Sequence, residues 1–196
     1  MHRIGITGGI GMGKSTALKI LHDRGIPIID TDQIAREVVA SGSNGLAEVI
    51  HSFGSSVLKP DGSLNRQKLA SIVFEDPKNR KMLESILHPK IRRTWEKQLS
   101  DWEDSGEPVG VIVSPLLFEA KAEKAFDQIV CISCPLPMQT ARLTARGWSE
   151  TQIQQRVGAQ LPIAEKMQRS SIVIWNAGPL QLLEAQLAAV TARWLS

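Results

Sequence analysis

The sequence predicts an α/β fold in which a parallel sheet is buried between layers of helices. Three observations carry that prediction. Short runs rich in Val and Ile recur without polar alternation, which marks strands covered on both faces. Segments with apolar residues at helical spacing lie between some of these runs. The first run leads at once into a glycine cluster that opens a helix.

The elements follow in order. Residues 3–7 form a short apolar strand, and residues 14–24 carry Ala17, Leu18 and Leu21 at helical spacing before Gly25 ends the helix. Ile26-Pro27-Ile28-Ile29-Asp30 reads as a second buried strand and Val109–Val113 as a third. Ile129–Ile132 lies in a fourth and Ile172–Ile174 makes a fifth. The stretch 180–195 places Leu183, Leu187, Val190 and Trp194 on one helical face, which packs on the sheet. Two regions interrupt the alternation. Residues 37–107 read as several helices, broken at Gly42 to Gly45, Pro60-Asp61-Gly62, Pro77 and His88-Pro89. Residues 137–170 read as helical and polar, with Arg142, Arg146, Arg156, Lys166 and Arg169. The expected organisation is one domain: a core of 1–36, 108–136 and 171–196, an inserted helical substrate lobe 37–107, and a basic helical lid 137–170.

Bulk properties narrow the function. A chain of 196 residues with 42% hydrophobic content buries a sizeable core. The net charge of +3 is too small for a nucleic-acid groove and suits a few cations gathered around phosphates. No apolar run is long enough to span a bilayer, and no secretory leader is evident, so no membrane association is expected. Cys131 and Cys134 are spaced C-x-x-C without a second ligand pair, inside an apolar strand, so they read as core cysteines of a reducing cytoplasm.

Gly8-Gly9-Ile10-Gly11-Met12-Gly13-Lys14-Ser15 fits G-x-x-x-x-G-K-[ST] at every fixed position, between a strand and a helix. Glycines let such a loop wrap phosphate oxygens, and backbone N–H groups at the helix start face the anion. Lys14 adds a point charge at the terminal phosphates, and Ser15 offers a hydroxyl to Mg²⁺. An N-K-x-D base reader, a D-x-x-G switch and an L-S-G-G-Q signature are all missing, which argues against GTPases and transporter ATPases. The strand 109–113 ends in Ser114-Pro115 with no carboxylate. The only apolar run ending in Asp is 26–30, which continues into Thr31-Asp32. Asp30 and Asp32 therefore suit a hydroxyl-orienting or proton-accepting role, a water-mediated link to Mg²⁺, or a cap on the next helix, expected at 33–41.

Ile6–Ser15, Ile29-Asp30-Thr31-Asp32, Leu87-His88-Pro89-Lys90-Ile91-Arg92 and Pro115-Leu116-Leu117-Phe118-Glu119 together resemble the successive motifs of the dephospho-CoA kinases, along nearly the whole chain. The resemblance implies a P-loop kinase fold with a five-stranded parallel core, and transfer of a phosphoryl group from ATP to the 3′-hydroxyl of dephospho-CoA. It implies Asp32, Lys14 and Arg142 as catalytic residues, and an ATP site of Gly9, Ile10, Gly11, Met12, Gly13, Lys14, Ser15, Thr16, Arg142 and Asn176. Thr7, Asp32, Arg66, His88, Pro89 and Leu117 are implied on the acceptor side, and Ser15 at Mg²⁺. ATP and dephospho-CoA are the expected partners, in a cytoplasmic monomer or weak homo-oligomer. One departure is Trp175, where the family commonly has an acid before Asn176. The competing readings are a kinase for another nucleoside or nucleotide and a non-catalytic nucleotide-binding module.

Overall fold

All five apolar runs join one sheet. In the computed structural model, which describes residues 1–195, the strands are β1 (His2–Gly8), β2 (Ile28–Asp30), β3 (Val109–Val113), β4 (Gln128–Ser133) and β5 (Ile172–Trp175). Their order is β2-β3-β1-β4-β5 and every pairing is parallel. The central strands β1, β3 and β4 are buried along most of their length, as continuous apolar runs require.

The chain divides into two compact units. The first, Met1–Asp30 with Leu99–Ser196, holds the sheet. Its core joins Ile4, Ile6, Val111, Val113, Val130 and Ile132 to Ala17 and Leu21 of α1 (Lys14–Asp23) and to Leu183, Leu187 and Trp194 of α9 (Leu180–Trp194). Each such side chain contributes about 1.5–3 kcal/mol by leaving water, so α9 is held by its packed face rather than by helix propensity. Trp194 also donates from Nε1 to Gln128 Oε1 at 3.2 Å. On the edge strand β5, Gln186 accepts from Trp175 N (3.1 Å) and donates to Trp175 O (3.3 Å), so an α9 side chain stands in for a missing neighbouring strand. The first unit also contains α6 (Leu136–Thr144), α7 (Glu150–Gly158) and α8 (Ile163–Arg169).

The second unit, Thr31–Gln98, is helical. It comprises α2 (Thr31–Val38), α3 (Asn44–Phe53), α4 (Arg66–Glu75) and most of α5 (Pro77–Asp104). Val39, Leu46, Val49, Val57, Leu64, Leu69 and Val73 form its core, flanked by Leu83, Ile86 and Leu87. Ser43 caps α3 and Asn65 caps α4, each accepting from a backbone N–H three residues on.

Two helix boundaries differ from what the sequence predicts. α2 starts at Thr31 rather than residue 33, so Asp30 directly precedes the helix and Asp32 lies in its first turn. α5 continues through His88-Pro89, where a break was expected. Pro89 removes one N–H from the helical ladder, and its ring lies on the solvent-exposed side of the helix rather than in the packed interior. Packing of Leu83, Ile86 and Leu87 on one side and burial of Trp95 and Leu99 on the other outweigh that single loss.

Candidate active site

The loop between β1 and α1 is shaped by its glycines at two points of close approach. A side chain at Gly8 (φ 144°) would collide with the Ile132 carbonyl, and one at Gly13 (φ 108°) would collide with Asn176 Nδ2. Both positions combine a left-handed backbone with no room for a Cβ, so no other residue fits. Gly13 is also the N-cap of α1 and provides no side-chain cap, which leaves the helix start facing the loop. Lys14 Nζ donates to Gly8 O and Gly9 O, both at 2.9 Å, which folds its ammonium back across the cradle. Ser15 and Thr16 are exposed on the first turn of α1, and Met12 is buried beneath the loop.

Side chains from α6 and from the turn after β5 close over this loop. Asn176 Nδ2 donates to Met12 O at 2.9 Å, and Arg142 Nη2 donates to Asn176 O at 3.2 Å. A second guanidinium nitrogen, Arg142 Nη1, is buried with no hydrogen-bond partner among the described residues, 3.9 Å from where a Cβ on Gly13 would stand. A buried guanidinium N–H with nothing to donate to is costly, and an anion in the cradle would relieve that cost. Ile10 is held at both polar groups: its N–H donates to Gln160 Oε1 (3.0 Å) and its carbonyl accepts from Gln139 Nε2 (2.8 Å).

Burial keeps Cys131 and Cys134 neutral. It pushes the Cys131 thiol up to about 11, against the opposing pull of Lys166 and Lys14, and raises Cys134 against the pull of Arg142. Neither thiol is a nucleophile at neutral pH.

Asp30 ends β2, level with Val113 of β3, which in turn is level with Ile6 of β1. Two strand spacings separate them, so the Asp30 backbone lies about 10 Å from the strand that feeds the cradle, at the carboxyl edge of the sheet where ligands of such sheets bind. Asp32 is exposed on α2 in the second unit. Thr7 and Leu117 are fully buried in the first unit. Leu117 packs against Gly5, while Thr7 Oγ1 is a buried hydroxyl without a hydrogen-bond partner among the described residues. In the second unit, Arg66 donates from Nη2 to Arg36 O (3.2 Å) and lines a cleft of about 490 Å³ with Arg36, Lys59, Ser41, Ser63 and Asn65. That cleft has three cations and no acid in its lining. His88 and Pro89 lie together on α5, half-buried and exposed respectively.

Among the described residues no cluster of three His, Cys, Asp or Glu side chains could hold a metal alone. A divalent cation would depend on phosphate oxygens for most of its ligands. The exposed Ser15 hydroxyl fits that arrangement, since Mg²⁺ takes one or two hard oxygen ligands from the protein and the rest from phosphates and water.

A family model described as dephospho-CoA kinase matches residues 2–181. The chain belongs to the dephospho-CoA kinase family. A dephospho-CoA kinase from Bdellovibrio bacteriovorus is 40% identical over 195 residues, covering 100% of this chain and 96% of that relative. A solved structure from Thermus thermophilus superposes with a TM-score of 0.81 at 37% identity, covering 98% of this chain and 97% of that one. The dephospho-CoA kinase structure from Campylobacter jejuni gives 0.71 at 25% identity, with 97% and 96% covered.

Within this dephospho-CoA kinase family member, the cradle, Arg142 and Asn176 come together in the first unit as one cluster. The grip of Gln139 and Gln160 on Ile10 escaped the sequence reading. The partners are 129 and 150 residues apart, and neither glutamine falls in a motif. The same holds for Lys166, which the sequence places among polar lid residues and the structure buries fully. No helix among the described residues is long and apolar enough to cross a membrane.

Proposed function

We propose that this kinase transfers the γ-phosphoryl group of ATP to the ribose 3′-hydroxyl of dephospho-CoA, giving CoA and ADP, the last step of coenzyme A synthesis. The observation that carries the reading is the unpartnered Arg142 Nη1 beside a complete phosphate cradle, in a chain of this family. The cradle backbone and Lys14 hold the β- and γ-phosphates. Arg142 stands where its free N–H groups meet the triphosphate, and Asn176 sets the adenine-side turn against Met12. Mg²⁺ bound with ATP, with Ser15 as a protein ligand, supplies further charge neutralisation when present.

On the acceptor side, the cationic cleft of Arg36, Lys59 and Arg66 suits the diphosphate of dephospho-CoA. His88, Pro89, Thr7 and Leu117 complete that side in our reading. Asp32 aligns the 3′-hydroxyl and accepts its proton late in an in-line transfer. Most of the acceleration then comes from positioning and from cations aimed at the transferring group. The segment 137–170 acts as the lid and 37–107 as the acceptor lobe, in a cytoplasmic protein that is a monomer or a weak homo-oligomer.

The test is product identity. Incubation with ATP and dephospho-CoA yields CoA and ADP in equal amounts, and Lys14→Ala removes both while the protein stays folded. ADP appearing without CoA would refute the acceptor assignment.

A further inference from the structure

Both polar groups of Ile10 are taken by side chains from outside the cradle. Gln160, on the half-buried turn between α7 and α8, accepts the Ile10 N–H, so that amide is committed to the protein rather than to phosphate. The next residue, Leu161, donates its own N–H to Glu119 Oε1 at 2.8 Å. Glu119 Oε1 also lies 2.7 Å from Lys166 Nζ, and Lys166 Nζ donates to the Pro115 carbonyl. One short segment, residues 160–166, thus grips the loop after β1 at one end and the loop after β3 at the other.

The ion pair in this grip is expensive. The Lys166 side chain is 0% exposed and that of Glu119 only 15%. Burying such a pair contributes little or nothing to stability compared with apolar residues of the same volume. Glu119 Oε2 is buried without a hydrogen-bond partner among the described residues, so the carboxylate is not placed for maximal bonding either. What the pair does secure is geometry, because it fixes Leu161 and with it the backbone that carries Gln160. The loop after β3 has no carboxylate at the strand end, and Glu119 in this arrangement faces Lys166 and Leu161.

We propose that residues 160–166 form a positioning bracket for the nucleotide cradle, in which Glu119 and Lys166 hold Leu161 and Gln160 holds Ile10. None of the three touches a reactant. They set the loop so that the amides of residues 11–16 converge on phosphate without having to be ordered by ATP, a saving in ordering cost that appears as ATP affinity. The proposal rests on the cradle being an ATP site, though not on the identity of the acceptor.

ATP binding, read directly by calorimetry with Mg²⁺ present, is therefore the assay, alongside steady-state kinetics with dephospho-CoA. Gln160→Leu removes one hydrogen bond at a half-buried turn and should fold. It is expected to weaken ATP binding and raise the ATP KM by about tenfold, while kcat and the dephospho-CoA KM stay within about twofold. Glu119→Gln with Lys166→Met removes both charges together and avoids a stranded ammonium. It should weaken ATP binding similarly, and adding Gln160→Leu should weaken it little further, because both act through the same amide. Normal ATP binding by Gln160→Leu overturns the proposal. So does full additivity, or a double variant that loses thermal stability without losing ATP affinity. If the parent binds ATP normally but phosphorylates no dephospho-CoA, the acceptor reading fails and the bracket test still stands.

Discussion

Gly13→Ala tests the cradle at its tightest point. Gly13 has φ 108°, and an added Cβ would lie 2.1 Å from Asn176 Nδ2 and 3.9 Å from Arg142 Nη1. The backbone strain alone costs about 1–3 kcal/mol for a non-glycine residue. The contact is too short to absorb, so Asn176 must move and its bond to Met12 O is lost, which adds about 1–3 kcal/mol for a buried carbonyl left unpaired. Gly25→Ala is the matched control. Gly25 also has a positive φ, 73°, but nothing lies within 4 Å of the added Cβ, so only strain remains. At about 2–4 °C per kcal/mol for a chain of this size, Gly25→Ala should lower Tm by roughly 2–12 °C and Gly13→Ala by roughly 4–24 °C. ATP binding separates them more clearly. Arg142 Nη2 bonds the Asn176 carbonyl and its Nη1 lies 3.9 Å from the added Cβ, so disturbance here should reach the cation over the cradle: Gly13→Ala should lose at least about 30-fold in ATP affinity, while Gly25→Ala stays within about twofold. Differential scanning fluorimetry and calorimetric ATP titration give both quantities. Equal ATP affinity in the two variants would refute the argument that Asn176 and Arg142 close the cradle through Gly13.

Three further outcomes are expected. Arg142→Ala should lower kcat by about 10²-fold with a smaller change in the dephospho-CoA KM, as the role proposed for its unpartnered Nη1 against transition-state charge requires; a change confined to the acceptor KM would move Arg142 to the other substrate. Asp32→Asn should lower kcat by roughly 10²–10⁴-fold with ATP affinity little changed, and raising Mg²⁺ should not restore it; recovery at high Mg²⁺ would make Asp32 a metal-linked group instead. Burial raises the Cys131 thiol from 9.0 to about 11, so the folded form holds its proton longer than the unfolded form. That contribution to stability is fully present below pH 9 and is lost as pH rises through 11, so Tm should fall across that window less steeply in Cys131→Ala than in the parent; identical slopes would mean that the thiol is not the titrating group.

What the sequence revealed and what it hid follow from the range of the interactions. The strands were legible because burial on both faces writes a continuous apolar run, as in Val109–Val113 and Ile129–Ile132. The cradle was legible because its backbone demands glycine at fixed points, and the motif carries those points in order. The helix 180–195 was legible from Leu183, Leu187 and Trp194 on one face, although β2 proved shorter than the apolar run that announced it. Pro89 misled, because the rule for the residue before proline is local, while α5 is held by packing along 28 residues. Lys166 misled in the same way. A lysine in a polar helix reads as solvated, and nothing near it in sequence reveals that Glu119 and the Pro115 carbonyl wait in the interior. The grip of Gln139 and Gln160 on Ile10 had no local trace for the same reason: its partners meet only after the sheet has formed.

The acceptor is the heart of the account, and one comparison tests it most directly: kcat/KM from coupled ADP release with dephospho-CoA, adenosine, AMP and pantetheine phosphate as acceptors under the same ATP and Mg²⁺. The cationic cleft of Arg36, Lys59 and Arg66 favours an acceptor carrying a diphosphate, and the proposed acceptor carries one beside its nucleoside. Dephospho-CoA should exceed every other acceptor by at least about 10³-fold, since each lost anion or base contact costs about 1–3 kcal/mol and the losses accumulate. Adenosine or AMP turning over within about tenfold of dephospho-CoA would contradict the assignment and make this a kinase for a simpler nucleoside or nucleotide.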